Sequence, residues 1–420
     1  MREISSDGDS RPPQGARLYE VDALRALALL GILSVNIWFF AYPETLETGM
    51  RSTARETPAD QIVSFAGTVL FEAKSYVVFS FLFGLAFVLQ WASASRAGVS
   101  ETGRSFRRFA ALAVLGLLHG ILLFAGDILL AYAILGCALF GMRRIRPRWA
   151  VLTGVVVLLA IPLFLLTAGL LTAGMQEAGM QEAAALAGGG DAEAARAAYT
   201  GGLSSYLAFQ LEAYSWALPN VLLGQGPMAL AAFLIGLAVG RTRMIERILS
   251  REIPTGRLIA WMTPALGVGF GLSWIAAVML WGPPGSTAPA GATSEDEFAA
   301  EMIGQGLVFL AGPIQALGYV LGALLVLRSP VLRGLMQYLS FAGRMSLSNY
   351  LGQSALLVMI FSGLGLGLGG ELSAVAVAGV AVLLWVFQLS FSAAWLRNFR
   401  RGPMEGLVRA VTYREAPSWR

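Results

Sequence analysis

The sequence predicts an all-α, polytopic membrane bundle of about ten transmembrane helices with both termini in the cytoplasm. Three observations predict it. Of 420 residues, 56% are hydrophobic and only 13% charged, against about 25% charged in a soluble domain; the mean hydropathy is +0.66. The apolar residues fall in runs that are mostly about 17–25 residues long, the length a bilayer crossing requires. Finally, the basic residues collect in every second connection, as the positive-inside rule expects.

The spans run roughly over residues 24–42, 75–93, 105–124, 127–142, 149–173, 216–240, 257–281, 302–327, 338–362 and 372–396, the fourth being short. With the N-terminus inside, the inner segments hold 26 of the 30 basic residues. Four lie up to Arg25, four in Arg96–Arg108, four in Arg143–Arg148, five in Arg241–Arg257, three in Arg328–Arg344 and six in Arg397–Arg420. The outer segments hold Arg51, Arg55, Lys74 and Arg196. Adding or dropping one span breaks this alternation. The organisation expected is a cytoplasmic tail over 1–23, one transmembrane domain over 24–396 and a cytoplasmic tail over 397–420. The first 20 residues are polar and a full-length apolar segment follows, which does not read as a signal peptide. The place expected for such a chain is the cytoplasmic membrane, with many passes.

The outer loops at 43–74, 174–215 and 282–301 differ in character. The first contains an apolar stretch from Asp60 to Lys74 that reads as a short surface helix. The second is rich in Ala, Gly, Gln and Glu, and the third opens on Gly-Pro-Pro-Gly and turns acidic at Glu295, Asp296 and Glu297. Loops of this length serve as lids or are disordered. No internal repeat is visible, which weighs mildly against transporter folds built from related halves.

Composition also narrows the chemistry. The net charge of +4 is explained by the membrane topology, so nucleic acid is not an expected partner. One histidine and one cysteine, Cys137, exclude an internal disulfide and the usual zinc spacings. The 49 glycines suit close helix contact, and stretches such as Gly363–Gly370 offer a surface for a homodimer.

The single histidine, His119, is the most informative residue. It lies in a hairpin, Leu118-His119-Gly120 to Gly126-Asp127-Ile128-Leu129 and Tyr132, whose apex at Ala125-Gly126 puts His119 and Tyr132 at equal depth. With ~1.5 Å per residue, His119 is roughly 8 Å below the outer helix end. Asp127 is an N-cap for the next helix and is also able to approach His119. An ionisable group at that depth is by default a functional site. A neutral imidazole beside a carboxylate is a general base; packing against Tyr132 and proton coupling in a transporter are the alternatives. No Ser or Cys neighbours His119 in the sequence, which favours direct transfer to an acceptor over a serine-bound intermediate.

Other polar groups fall in the outer half of their spans: Asn36, Asn220, Gln225, Gln305 and Gln353, with Asn349 deeper. They either line a pocket or hydrogen-bond between helices. At the inner face, Asp22 and Arg25 stand at i and i+3, a spacing that suits an ion pair. Arg344 lies at the start of span nine. These arginines either hold a phosphate or anchor the chain at the membrane surface.

Several segments resemble the YeiB family of bacterial membrane proteins, itself a domain of unknown function. They are Arg17 to Asn36, with Asp22-Ala23-Leu24-Arg25 and Gly31-Ile32-Leu33-Ser34-Val35-Asn36; Phe79-Ser80-Phe81-Leu82-Phe83-Gly84-Leu85; the His119 hairpin; Ala342-Gly343-Arg344-Met345-Ser346-Leu347-Ser348-Asn349-Tyr350 with Gln353-Ser354; and Trp395-Leu396-Arg397 with Gly402-Pro403-Met404-Glu405-Gly406-Leu407. Ala26 departs from the family's usual Gly but stays small. The family looks distantly similar to transmembrane acyltransferases, which include the heparan-glucosaminide acetyltransferase-like enzymes and sugar O-acyltransferases. That likeness implies an acyl-CoA co-substrate, first of all acetyl-CoA, and no metal. Asp22-x-x-Arg25 and Asn36 resemble the glucosaminide branch, but no histidine here matches that branch's catalytic one, so His119 would act from a different helix.

The leading expectation is therefore a membrane-embedded acyltransferase. His119 is the base, Asp127 its orienter, and Asn36 or Tyr132 a donor to the oxyanion. Asp22, Arg25, Arg344, Asn349 and Gln353 bind the acyl-CoA. Membrane lipids surround the chain, and the acyl acceptor is a hydroxyl or amine of a glycan, lipid or small metabolite. A proton-coupled exporter of a small amphipathic molecule is the alternative; a non-catalytic scaffold is the third reading.

Overall fold

The computed structural model describes residues 19–48, 57–96, 98, 100–177, 192–286 and 294–415. The tail before residue 19, Arg51 and Arg55, the middle of the 174–215 loop and residues 287–293 lie outside the described residues. The described chain is helical throughout, without a strand. In order the helices are α1 (Tyr19–Ala41), α2 (Glu44–Thr48), α3 (Pro58–Leu70), α4 (Lys74–Arg96), α5 (Glu101–Leu122), α6 (Leu129–Gly141), α7 (Pro147–Glu177), α8 (Ala192–Thr200), α9 (Leu203–Asn220), α10 (Gly226–Arg241), α11 (Met244–Leu249), α12 (Thr255–Trp281), α13 (Ser294–Leu327), α14 (Arg333–Arg344), α15 (Ser346–Phe361), α16 (Ala374–Asn398) and α17 (Pro403–Tyr413).

Among the described residues, eight helical stretches are long and apolar enough to cross a membrane. They include α1, α5, α12 and α16, and the continuous runs Pro58–Arg96 and Leu203–Arg241. The apolar α6 and α15 are shorter, at 13 and 16 residues. This is a multi-pass helical bundle. Only helices with internal hydrogen bonding suit such a medium when no barrel is formed. The apolar surface agrees: Phe164, Leu171, Trp216, Leu223 and Leu383 are all exposed, as residues facing lipid are.

Small residues set the closest helix contacts. On α4, a Cβ at Gly84 would come within 2.7 Å of the Phe233 backbone of α10. Facing it, a Cβ at Gly236 would stand 2.9 Å from the Leu85 nitrogen. Helices without side chains at the contact approach more closely and gain dispersion contacts. Gly343 does the same for α14 against the Asp22 backbone of α1. The Gly363–Gly370 stretch is tied to the rest of the chain, Gly363 N–H donating to Tyr199 O at 3.2 Å and Gly370 N–H to Ala41 O at 2.7 Å, while Gly363, Gly365 and Leu366 stay exposed.

Two span boundaries differ from expectation. The span expected from 216 begins at Leu203: α9 packs inward through Tyr206, Phe209, Gln210 and Ala213, while Leu203, Leu211, Glu212 and Trp216 face out. It passes into α10 through a π-helical turn at Val221–Gln225 that follows Pro219. Proline lacks the donor that an α-helical ladder needs, and a widened turn accommodates it. The span expected from 338 is broken at Met345 (φ −111°, ψ 27°), which separates the amphipathic α14 from α15. The expected surface helix is α3. Thr57 caps it in a capping box with Asp60, and Gln61 ties it to the carbonyls of Trp281, Gly282 and Pro283.

Candidate functional site

The hairpin holds His119 in a fixed place. Helix α5 ends on the His119 carbonyl, which accepts from the Leu123 and Phe124 amides at 2.9 Å each. Asp127 follows the turn. Its Oδ2 accepts the Leu130 amide at 2.9 Å, capping α6, and its Oδ1 lies 2.8 Å from His119 Nδ1. Gly116 permits this contact, since a Cβ there would come 2.7 Å from Asp127 Oδ2 and would strike the Leu130 amide. Helix α9 braces the hairpin: the Tyr206 hydroxyl donates to Leu122 O at 3.1 Å, and the Tyr214 ring lies on Gly120, where a Cβ would come 2.6 Å from its Cζ.

The second imidazole nitrogen, Nε2, lies 2.8 Å from the hydroxyl of Ser354 on α15. His119, Asp127 and Ser354 are each buried, at 2%, 1% and 3% exposure. An ionised carboxylate only accepts hydrogen bonds, so with Asp127 ionised Nδ1 carries the proton and Nε2 of the neutral ring accepts from Ser354 Oγ. This is the arrangement of a nucleophile, its base and the base's orienter. Two tyrosine hydroxyls beside it, of Tyr350 and Tyr214, are buried and donate to no acceptor among the described residues. The Tyr350 ring packs 5.0 Å from the imidazole.

A cavity of about 530 Å³ runs from the arginine-rich end as far as Tyr350, one helical turn from Ser354; His119, Asp127 and Ser354 lie behind its wall and do not line it. Its inner wall is apolar and aromatic, including Ile128, Leu129, Tyr132 and Tyr350. Its mouth carries Arg25, Arg108, Arg344, Arg400, Arg401 and Arg409. Arg108 donates to Gln90 Oε1 at 2.6 Å and sits over the Phe83 ring at 5.3 Å. Arg25 pairs with Asp22 at 2.7 Å, as their spacing suits. A mouth of guanidinium groups over an apolar interior fits an anionic head on an apolar or weakly polar tail. Among the described residues, no group of three or more His, Cys, Asp or Glu side chains is placed to hold a metal.

Glu405 on α17 positions the helix that carries Tyr350 and Ser354. Its carboxylate accepts the amides of Leu347 and Ser348 at 2.7 and 3.2 Å and the Ser348 hydroxyl at 2.5 Å. These amides are orphans of the first turn of α15. Burial pushes the Glu405 carboxyl above its ordinary range, against the hydrogen bonds from Ser348 and Leu347 that favour its charge. Glu405→Ala leaves those donors unpaired and lowers stability by about 1–3 kcal/mol, read as a lower melting temperature in detergent. An unchanged melting temperature would mean that the cap contributes nothing.

The remaining residues singled out in the sequence sit elsewhere. The Tyr132 hydroxyl pairs with Ser80 Oγ at 2.5 Å, not with His119. Asn349 and Gln353 join α15 to α16: Asn349 Nδ2 donates to Ser392 Oγ at 3.0 Å, Gln353 Nε2 to Gln388 Oε1 at 2.7 Å. Asn36 is half-buried one turn before Phe40 and makes no hydrogen bond to His119, Asp127 or Tyr132. Asn220 is exposed and donates to Trp216 O, while Gln225 and Gln305 are half-buried. Sequence reasoning missed Ser354, Tyr350 and the arginines of α5 and the C-terminal region. A signal existed for the first two: Tyr350 and Ser354 are i, i+4 on an otherwise apolar span.

A family model described as protein of unknown function (DUF418) matches residues 255–415. Over nearly their full lengths, the chain is 28% identical to uncharacterized protein YxaH of Bacillus subtilis, with 94% of each chain covered. It is 29% identical to uncharacterized protein YeiB of Escherichia coli, covering 94% of this chain and 96% of YeiB. It is 26% identical to an uncharacterized 39.9 kDa protein of Bacillus acidopullulyticus, with 94% of each chain covered. These matches bear out the resemblance to the YeiB family. No solved structure matches.

Proposed function

For this multi-pass helical protein of the DUF418 family, we propose a membrane-embedded acyltransferase that takes an acyl group from acyl-CoA and passes it to a hydroxyl or amine. The observation that carries the proposal is His119 held between Asp127 and a hydroxyl, 2.8 Å from each, behind Tyr350, at which a cavity with arginines at its mouth ends. The phosphates of CoA meet Arg25, Arg344 and Arg400, on the cytoplasmic side if the positive-inside pattern holds. The acyl thioester lies toward Tyr350 and the imidazole. His119 Nε2 takes the proton of the attacking group as the carbonyl carbon is approached, and Asp127 stabilises the imidazolium. The Tyr350 hydroxyl, which donates to no acceptor among the described residues, is a donor for the developing oxyanion. The membrane is the inner membrane of a bacterium, and the acceptor is a glycan, lipid or small metabolite reaching the site from the outer face or the bilayer.

The test is acyl-CoA binding by purified protein in nanodiscs. Acetyl-CoA or a longer acyl-CoA raises the melting temperature, and the effect weakens with salt because the contact is ionic. The double variant Arg400→Gln/Arg409→Gln raises the apparent dissociation constant by at least about tenfold, one charged contact being worth ~1.5–3 kcal/mol. No stabilisation by any acyl-CoA contradicts the donor assignment. Flux of an unchanged molecule driven by a pH gradient supports the exporter reading instead.

A further inference from the structure

We infer that Ser354 is a covalent acyl carrier, so that transfer proceeds in two displacements through an acyl-serine ester; this rests on the acyltransferase reading above. The first observation is the direction of its hydroxyl. Helical serines commonly bond the carbonyl four residues back, as Ser34, Ser75, Ser362 and Ser390 do here at 2.8–3.0 Å. The Ser354 hydroxyl instead meets His119 Nε2 at 2.8 Å, from a helix 235 residues away in the chain. The second is the imidazole's other contact, which fixes the ring with Nε2 facing the serine. A third, independent observation is the pair of buried hydroxyls of Tyr350 and Tyr214 flanking this group, neither of which donates to an acceptor among the described residues. Unmet buried donors lack compensation, and an acyl carbonyl supplies the acceptor. Tyr350 lines the cavity and stands one helical turn before Ser354, so the cavity ends one turn from the serine.

The chemistry balances with the groups present and an acyl-CoA. Ser354 Oγ bonds to the thioester carbonyl carbon while its proton passes to Nε2. The carbon–sulfur bond breaks, and the CoA thiolate leaves with that proton. An acceptor hydroxyl or amine then bonds to the ester carbon and gives its proton to Nε2. The ester carbon–oxygen bond breaks, and Ser354 Oγ recovers the proton. No oxidant, metal or further reactant enters.

The experiment uses an alkyl fluorophosphonate, which reports an activated serine whatever the natural donor is. The full-length protein in nanodiscs is labelled, digested and sequenced by mass spectrometry, and CoA binding is measured in parallel. Wild type is labelled at Ser354. Labelling falls by at least about a hundredfold in His119→Ala, the scale of a general base, and disappears in Ser354→Ala, while both variants keep CoA-dependent stabilisation, which certifies the fold. Labelling without CoA binding would uphold the carrier and overturn the CoA reading. CoA binding and His119-dependent CoA release without labelling would overturn the carrier and leave direct transfer, as would release at the wild-type rate by Ser354→Ala.

Discussion

His119→Ala lowers acyl transfer by about 10²–10⁴-fold, the contribution of a positioned general base, while CoA binding stays near the wild-type level. The separation follows from geometry. The imidazole contacts Asp127 and Ser354 behind the Tyr350 wall of the cavity, whereas the arginines proposed to hold an anionic donor line the cavity itself. Asp127→Asn has a related effect for another reason. An amide in that place can donate as well as accept, so it no longer dictates that Nδ1 carries the proton, and Nε2 loses its role as acceptor. Parallel kcat measurements and CoA titrations on both variants check this. Full turnover by His119→Ala removes the histidine from the mechanism.

Gly116→Ala, a single methyl group added to a residue that touches no ligand itself, is expected to abolish most activity and to lower stability. The new Cβ would stand 2.7 Å from Asp127 Oδ2 and 2.9 Å from the Leu129 carbonyl carbon. Both obstacles belong to the turn and first residues of α6, where no flexible side-chain end can swing aside. The hairpin must therefore spread, and Asp127 moves off Nδ1. Overpacking of this kind costs about 1–3 kcal/mol, and a displacement near 1 Å at a catalytic pair costs about a hundredfold in rate. Gly141→Ala on the same hairpin is the control, because nothing lies within 4 Å of a Cβ there. If Gly116→Ala matches that control in melting temperature and turnover, the close approach of the two helices does not position Asp127.

Much of this fold is written in the sequence because membrane insertion acts on long runs. A stretch such as Thr255–Trp281 is apolar enough to mark itself, and Arg251 and Arg257 gather at one of its ends. The errors arise where tertiary packing overrides the run. Helix α9 starts 13 residues before the expected span because polar residues such as Ser204, Ser205, Gln210 and Glu212 interrupt its apolar run, while Tyr206, Phe209 and Tyr214 are buried and Leu211 and Trp216 face out. The break at Met345 carries no proline or glycine of its own; it follows from Gly343 seating α14 on the α1 backbone while Glu405 caps α15.

The site divides in the same way. His119 and Asp127 are eight residues apart, across one turn, so their contact is readable from hairpin symmetry. Ser354 comes from α15, and its meeting with His119 depends on how α1, α14 and α17 seat that helix, which no local pattern encodes. The polar residues nearest to it in sequence mislead: Gln353 and Asn349 turn to α16 and satisfy each other's helix contacts. Arg400 and Arg409 read as membrane anchors in the sequence. Their place at the cavity mouth is a consequence of α17 folding back against α5 and α15.

The most direct measurement of the central claim is release of free CoA from radiolabelled acetyl-CoA and longer acyl-CoAs in proteoliposomes supplied with bacterial lipid and glycan extract. The account predicts CoA release with the labelled acyl group appearing on a component of the extract, and loss of both in His119→Ala. Saturable acyl-CoA binding with no CoA release under any extract, or equal release by wild type and His119→Ala, would contradict it.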